Sequence, residues 1–265
     1  MFNNIGESKL NTTLKIIRKK DIIDVMGHEI RTPLSIIKQE LNYHKEVTLP
    51  KESEWKEGNM NSSDVEDLFK TLQTIDEEVD HTLSLVTNML EAARIDKQRF
   101  ELNIDKVDII KLARQTFEVE KKANDSSKYE FLMIDNGLES LEVNVDPVRV
   151  RESIDALLTN AVKYGQNIEG GKSIIEMNLR KDEENIYISI KDNGRGIEKE
   201  DIEKLGKKFV RLYPKTANLE RPGGTGLGLF VVKNIMQYHK GDLLIESEGI
   251  GKGSVFTLKF PLNNI

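Results

Sequence analysis

The chain has 265 residues, 38% of them hydrophobic, which is enough to build cores for two modest domains. Charged residues make up 32% and the net charge is -6 with acid and base intermixed, so no basic stripe points to nucleic acid as a partner. The absence of cysteine excludes disulfides, thiolate catalysis and zinc–thiolate sites. No apolar run approaches the roughly 18 to 20 residues that cross a bilayer, and the start, MFNNIGESKL, lacks the apolar region of a signal peptide.

From Leu10 to about Val47 the apolar residues recur at helical spacing. Ile16, Ile23, Ile30 and Ile37 fall seven apart, and Leu34 and Leu41 supply the alternate seam position. The stretch LPKESEWKEGNMNSS, with Pro50 and Gly58, reads as a connecting loop that ends in a helix N-cap at Ser62 or Ser63. A second helix is predicted from Asp64 to about Asp96. Leu68, Ile75 and Met89 share one of its heptad positions, with Thr82 the exception, and Leu72, Val79, Val86 and Ala93 share another. Two helices alone bury little, so this hairpin is expected to pair with a second copy of the chain in a four-helix bundle.

Beyond RIDKQRFELN the period changes. A short strand, a helix from Val107 to about Lys122, and strands at Tyr129–Ile134 and Leu141–Val145 are followed by a helix from Pro147 to Tyr164. SIIEMNLR and NIYISIKD alternate as two strands joined by a polar turn. A helix from about Leu227 to His239 and strands near LLIES and SVFTLKF close the chain. The expected fold class is therefore α+β in two domains: a helical hairpin over residues 1–98, then an α/β sandwich over 99–265 with a mixed sheet and helices on one face. The stretch from Gly194 to Gly228 is too long for a simple connection and is the candidate for a functional lid.

Within the first helix lies GHEIRTPL, residues 27–34. At about 100° per residue, His28 lies roughly 200° from the seam residue Ile30 and is expected to face water. Arg31 and Thr32 share its face, and Glu29 beside it can hold one imidazole nitrogen as donor, leaving the other as a nucleophile. Pro33 cannot donate to the carbonyl of Glu29, so the helix is expected to bend beside the histidine. The string resembles the phosphoacceptor box of bacterial sensor histidine kinases, commonly S-H-E-L-R-T-P-L, from which only Gly27 and Ile30 differ. The resemblance implies that His28 accepts a phosphoryl group, that Glu29 assists as base, and that Thr32 helps orient water when a phosphorylated partner is dephosphorylated.

The resemblance continues in order through the second domain. RESIDALLTNAVKYG (151–165) resembles the N box of the Bergerat ATP-binding fold, DNGRGI (192–197) its G1 box, KKFVR (207–211) its F box and GGTGLGL (223–229) its G2 box. The chemistry fits each. Asn160 offers an amide oxygen to Mg²⁺, Lys163 one turn later is placed to meet phosphate, and Tyr164 offers a flat face to a purine. Asp192, ending its strand, can accept a hydrogen bond from the exocyclic amine of adenine, and Gly194 and Gly196 let backbone approach the nucleotide. In the G2 box, Gly224, Thr225, Gly226, Leu227 and Gly228 precede a helix whose amides form a cradle for phosphates. Arg211, after the aromatic Phe209, matches the family's arginine that reaches the terminal phosphate.

One position departs from the family. The N box is usually N-L-L-x-N, and Ala156 stands where its first asparagine is expected. Two explanations compete: a natural variant compensated elsewhere, for example by Asp155 or Glu152, or a deliberate substitution made to hold ATP unreacted. The leading expectation is ATP-dependent autophosphorylation of His28 in a homodimer, transfer to an aspartate of a response regulator, and response-regulator phosphatase activity. A cytoplasmic location is implied, as a free kinase or as the inner portion of a membrane-bound sensor. The rival is a scaffold or phosphatase-only module with a degenerate site at Ala156. A water-dependent ATPase of the same fold is disfavoured by the phosphoacceptor box. His44 and His81 lack the flanking box, and His239 is expected to end a helix as a cation.

Overall fold

The computed structural model describes residues 30–43, 62–165, 171–212 and 225–262. The chain divides into two compact units between Leu90 and Glu91. The first contains helix α1 (residues 30–43) and most of α2 (Ser62–Asp96), 35 residues long. His28 and Glu29, the predicted stretches 10–29 and 44–47 of the first helix, and the connecting loop up to residue 61 lie outside the described residues. α1 runs through Pro33, which is buried. α2 starts at Ser62, so both serines expected to cap it already belong to the helix.

The two heptad sets of α2 have different fates. Leu68, Thr71, Ile75, Thr82 and Leu85 form a buried or half-buried stripe, and the Thr71 hydroxyl donates to Glu40 Oε2 of α1 at 3.4 Å. A second stripe, one residue further around, carries Phe69, Leu72, Val79, Leu83, Val86 and Leu90. All six are exposed in the single chain, Phe69 to 69%. Leu34 and Leu41 of α1 are exposed as well. The 3-and-4 spacing of the second stripe is that of a helix with another neighbour.

The second unit contains, in chain order, β1 (Asp105–Asp108), α3 (Ile109–Ala123), β2 (Tyr129–Ile134), β3 (Glu142–Val145), α4 (Pro147–Tyr164), β4 (Ser173–Lys181), β5 (Asn185–Asp192), the one-turn α5 (Lys199–Ile202), α6 (Gly228–Tyr238), β6 (Asp242–Glu246) and β7 (Ser254–Pro261). β1 and β3 form an antiparallel pair, and the main sheet has the order β2-β4-β5-β7-β6. β2 runs parallel to β4, and the other pairs are antiparallel. This is the predicted mixed sheet.

Alternation explains its single covered face. Ile175, Met177 and Leu179 of β4, Ile186, Ile188 and Ile190 of β5, and Phe256, Leu258 and Phe260 of β7 are buried with Ile110 and Phe117 of α3 and Ile154, Leu157 and Leu158 of α4. The register sets Met177 beside Ile190 and Ile190 beside Phe256, so the apolar rows run unbroken across the three strands.

Both long helices of this unit start on aspartate caps. Asp146 Oδ1 accepts from the N–H groups of Val148 and Arg149, with Pro147 at the first helical position. Asp108 Oδ1 likewise accepts from Ile110 and Lys111. That cap corrects the predicted start of α3, because Val107 pairs with Val143 in β1 and the helix begins only at Ile109.

His239 is a second correction. It follows α6 as expected, but it is 2% exposed and not a surface cation. Its Nδ1 lies 2.8 Å from the Ile235 carbonyl, which can only accept, so Nδ1 carries the proton. Nε2 then accepts from the Asp146 N–H at 3.0 Å. Burial lowers the pKa of this neutral ring, which ties the start of α4 to the end of α6. The chain leaving α2 is fastened to the same helices. Glu91 is buried and bonded to Arg94 and Arg149, and Arg149 lies over Phe100, whose ring packs against Tyr238.

Replacing His239 with Ala leaves the buried Asp146 N–H without a partner, at a cost of about 1–3 kcal/mol. The folded pKa of His239 is depressed, so its contribution to stability is fully present above the reference value of 6.5 and declines as pH falls below it. Thermal melts are expected to show H239A several degrees below wild type at pH 7.5, with the gap narrowing towards pH 5. Equal melting temperatures at pH 7.5 would contradict the link.

Candidate functional site

The site forms in the second unit, where β5 ends. Asp192 is the last residue of that strand and is 4% exposed. Its Oδ1 accepts from the Gly194 N–H at 2.9 Å and its Oδ2 accepts from the Ser254 hydroxyl at 2.5 Å. Burial raises the pKa of the carboxyl, and the bonds from Ser254 and Gly194 act against that rise. A carboxylate has about four lone-pair directions, so this one keeps capacity for another donor.

The turn after Asp192 is built against the connection between β6 and β7. The Gly253 N–H donates to the Gly194 carbonyl, the Gly251 N–H donates to the Arg195 carbonyl, and the Ile197 N–H donates to Ser247 Oγ. Gly196 has φ +69°, and a Cβ there would lie 2.0 Å from the Gly249 carbonyl oxygen. Both facts demand glycine. Ser247, Gly251, Gly253 and Ser254 are residues the sequence reading missed. The glycine-rich string SEGIGKGS between the last two strands was the available signal.

The F and G2 boxes meet at a second close approach. Phe209 has φ +60°, a strained conformation for an aromatic residue, and its N–H donates to the Gly226 carbonyl at 3.1 Å. Gly226 has φ +69°, and a Cβ on it would lie 2.7 Å from the Val210 carbonyl oxygen. Thr225 and Leu227 are buried, while Gly224 lies outside the described residues. Leu227 gives α6 no side-chain cap, and among the described residues a Cβ on Gly228 would meet nothing within 4 Å. Arg211 is half-buried, two residues beyond Phe209. Of the predicted lid, residues 213–224 lie outside the described residues.

α4 brings the N-box residues to one end of the helix. Asn160 is half-buried, and its amide makes no hydrogen bond to another described residue. Lys163 Nζ and the Arg195 guanidinium lie 5.6 Å and 5.3 Å from the centroid of the Tyr164 ring, so Lys163 is engaged with the aromatic face beside it. Ala156 packs against the core. Glu152 Oε2 is bonded to Arg149 Nη1 at 2.9 Å. Burial, and then the charge of Glu152, raises the pKa of Asp155, and Asp155 in turn repels Glu120 of α3. Of the two carboxylates considered as replacements for a missing asparagine, Glu152 is thus engaged with Arg149, while Asp155 is repelled by Glu152 and Glu120.

The donor set suits a magnesium nucleotide. Among the described residues no three His, Cys, Asp or Glu side chains gather as a metal centre. A single amide oxygen at Asn160 fits a hard ion that keeps most of its waters and bridges phosphates.

Comparison with known proteins agrees with this geometry. Residues 145–264 match the family of histidine kinase-, DNA gyrase B- and HSP90-like ATPases, and residues 18–98 match the His Kinase A phosphoacceptor domain. The sensor histidine kinase WalK of Bacillus subtilis (strain 168) is 29% identical over 248 residues, which are 91% of this chain and 37% of WalK. The chain thus spans little more than a third of that relative's length. Two solved structures share the fold. Histidine kinase ThkA in complex with response regulator protein TrrA superposes with TM-score 0.60 at 20% identity, covering 97% of this chain and 65% of that one. Full-length ShkA in complex with AMPPNP gives 0.59 at 23% identity, covering 74% and 39%.

The sandwich and its glycine-framed turn define an ATPase-type nucleotide-binding domain behind a helical phosphoacceptor region. The chain belongs to the bacterial sensor histidine kinases, of which it is a transmitter region.

Gly196→Ala is expected to distort the turn that holds Asp192, because Ala disfavours this φ by about 1 kcal/mol or more and its Cβ has no room. Nucleotide titration of purified G196A should show ATP binding weakened at least about tenfold while the far-ultraviolet circular dichroism stays native. Undiminished binding would contradict the fit of the turn.

Proposed function

We propose that the chain binds Mg²⁺–ATP in the second unit, phosphorylates His28, and passes the phosphoryl group to an aspartate of a response regulator. The observation that carries this reading is the buried Asp192 carboxylate, held at the glycine-framed turn in the same unit as the N-terminus of α6. The carboxylate is an acceptor for an amine-bearing purine, and the helix start favours phosphate. The phosphoacceptor string supplies the nucleophile.

A neutral imidazole nitrogen of His28 forms a P–N bond to the γ-phosphorus as the bond to the bridging oxygen of ADP breaks, and Glu29 takes up the imidazole proton. Arg211 stabilises charge on the transferred group, and Lys163, Gly194, Gly196 and Gly224 to Gly228 hold the nucleotide with Tyr164 against its base. Mg²⁺, held through Asn160, would neutralise charge on the phosphates. The phosphoramidate is labile, as a relay requires, and the regulator's aspartate is the next acceptor. Thr32 orients water for the reverse duty, dephosphorylation of the regulator. The working division is 1–98 for dimerisation and phosphotransfer and 99–265 for ATP binding, in the cytoplasm. The exposed apolar stripe on α2, with Leu34 and Leu41, supports a homodimer.

A second reading has its own observation. Ala156 packs against the core where the family carries an amide, and Glu152 is engaged with Arg149. This favours a chain that binds ATP but transfers it poorly, leaving docking or phosphatase function.

Incubation with γ-labelled ATP and Mg²⁺ decides between them. The kinase reading predicts an acid-labile label on the wild-type chain that is lost in His28→Ala and changes little in Ala156→Asn. Intact ATP binding with little or no label on the wild-type chain, and a label that rises at least about tenfold in A156N, would favour the second reading.

A further inference from the structure

The middle residue of the turn between Gly194 and Gly196 carries a side chain that neither the motif nor the reaction above employs. Arg195 is held by its backbone on both sides: its N–H donates to the Tyr164 carbonyl at 3.4 Å, and its carbonyl accepts from the Gly251 N–H at 2.6 Å. Its neighbours admit no side chain, since a Cβ on Gly194 would lie 2.3 Å from the Tyr164 carbonyl oxygen and one on Gly196 would strike Gly249. The direction in which Arg195 leaves the turn is therefore fixed. Along that direction the guanidinium lies 5.3 Å from the centroid of the Tyr164 ring, and Nη2 donates to the Leu212 carbonyl at 2.9 Å.

Leu212 immediately follows Arg211. One side chain thus joins the aromatic residue at the end of α4, the turn that secures Asp192, and the segment that carries Arg211. A planar guanidinium can stack on a ring and donate from its edge at once, whereas an ammonium has no planar edge to offer.

We propose that Arg195 is a positioning residue of the ATP site, setting the distance between the base-binding wall at Tyr164 and the Arg211 segment so that base and terminal phosphate are engaged together. This rests on the ATP-binding reading above. Its specific consequence is that losing Arg195 penalises ATP, which has the terminal phosphate, more than ADP, which lacks it. The loss must also be shared with Arg211 and not added to it.

The test is calorimetric titration of ATP and ADP, with Mg²⁺, into the whole 265-residue chain. Arg195→Met keeps the bulk over Tyr164 and removes the donor to Leu212. It is expected to weaken ATP about tenfold and ADP no more than about twofold, and Arg195→Lys, which has no planar edge with which to reach both partners, to weaken ATP about threefold. Introduced into Arg211→Ala, R195M should weaken ATP by no more than about a further twofold. Equal losses for ATP and ADP would overturn the proposal, as would a full tenfold loss in the R211A background. If R195M does not fold, R195K takes its place in the same cycle, where an undiminished ATP affinity overturns the proposal. A wild-type chain that bound no ATP would sink the underlying reading of the site, an outcome readily told apart from the others.

Discussion

A carboxylate taken out of water at the end of a central strand is the constraint around which the second unit is arranged. Burying an unpaired carboxylate costs several kcal/mol even after relaxation. Asp192 is kept there by two donors, the Ser254 hydroxyl and the Gly194 amide, which come from β7 and from the turn after β5. Those two donors require β5 and β7 to pair in register, with Asp192 opposite Ser254, and they require the turn to double back at once. The doubling back demands Gly196 at φ +69°, and that in turn brings Gly249, Gly251 and Gly253 into contact with the turn. A core-only explanation gives no reason to bury a charge here, whereas a ligand that donates to it does.

The helical unit obeys a different constraint. α2 has two adjacent apolar stripes, one covered within the chain and the other exposed from Phe69 to Leu90. A helix with two such stripes is shaped for two neighbours, and a single hairpin supplies one. The bundle of the proposed dimer would supply both and would make association part of the folding of this unit. At the other end of α2, Glu91 and Arg149 fasten the departing chain to α4, while Lys208 pairs with Asp96 and lies over Phe230. Glu91 and Asp96, in the last turns of α2 and within the second unit, are therefore bonded to α4 and to the segment that carries Lys208.

Strong periodicity made most of the fold readable in the sequence. The strands at 129–134 and 185–192 and the helix at 147–164 carry the predicted bounds, because alternation, an aspartate cap and Pro147 mark them locally. Val107 was misplaced because an apolar residue before a helix resembles its first turn, and only its pairing with Val143 shows that it belongs to a strand. His239 was misread because a histidine after a helix suggests a dipole-stabilised cation. Its burial beneath the Asp146 N–H depends on a contact 93 residues away along the chain. Asp192, Gly194 and Gly196 were read through the resemblance of DNGRGI to a nucleotide-binding box, while Ser247, Gly251, Gly253 and Ser254 were not read at all. The string SEGIGKGS marks a glycine-rich connection, but its place against the turn after Asp192 arises from strand register. Arg195 was hidden for the opposite reason, since it lies inside a motif read for its glycines.

Calorimetric titration of ATP and GTP into the wild-type chain and Asp192→Asn, at pH 7.5, reads the buried carboxylate most directly. If Asp192 is the anionic acceptor for the base, wild type binds ATP well over tenfold more tightly than GTP, and the substitution abolishes that preference by weakening ATP alone. ATP binding that is equally tight with asparagine at position 192 would contradict the account at its foundation.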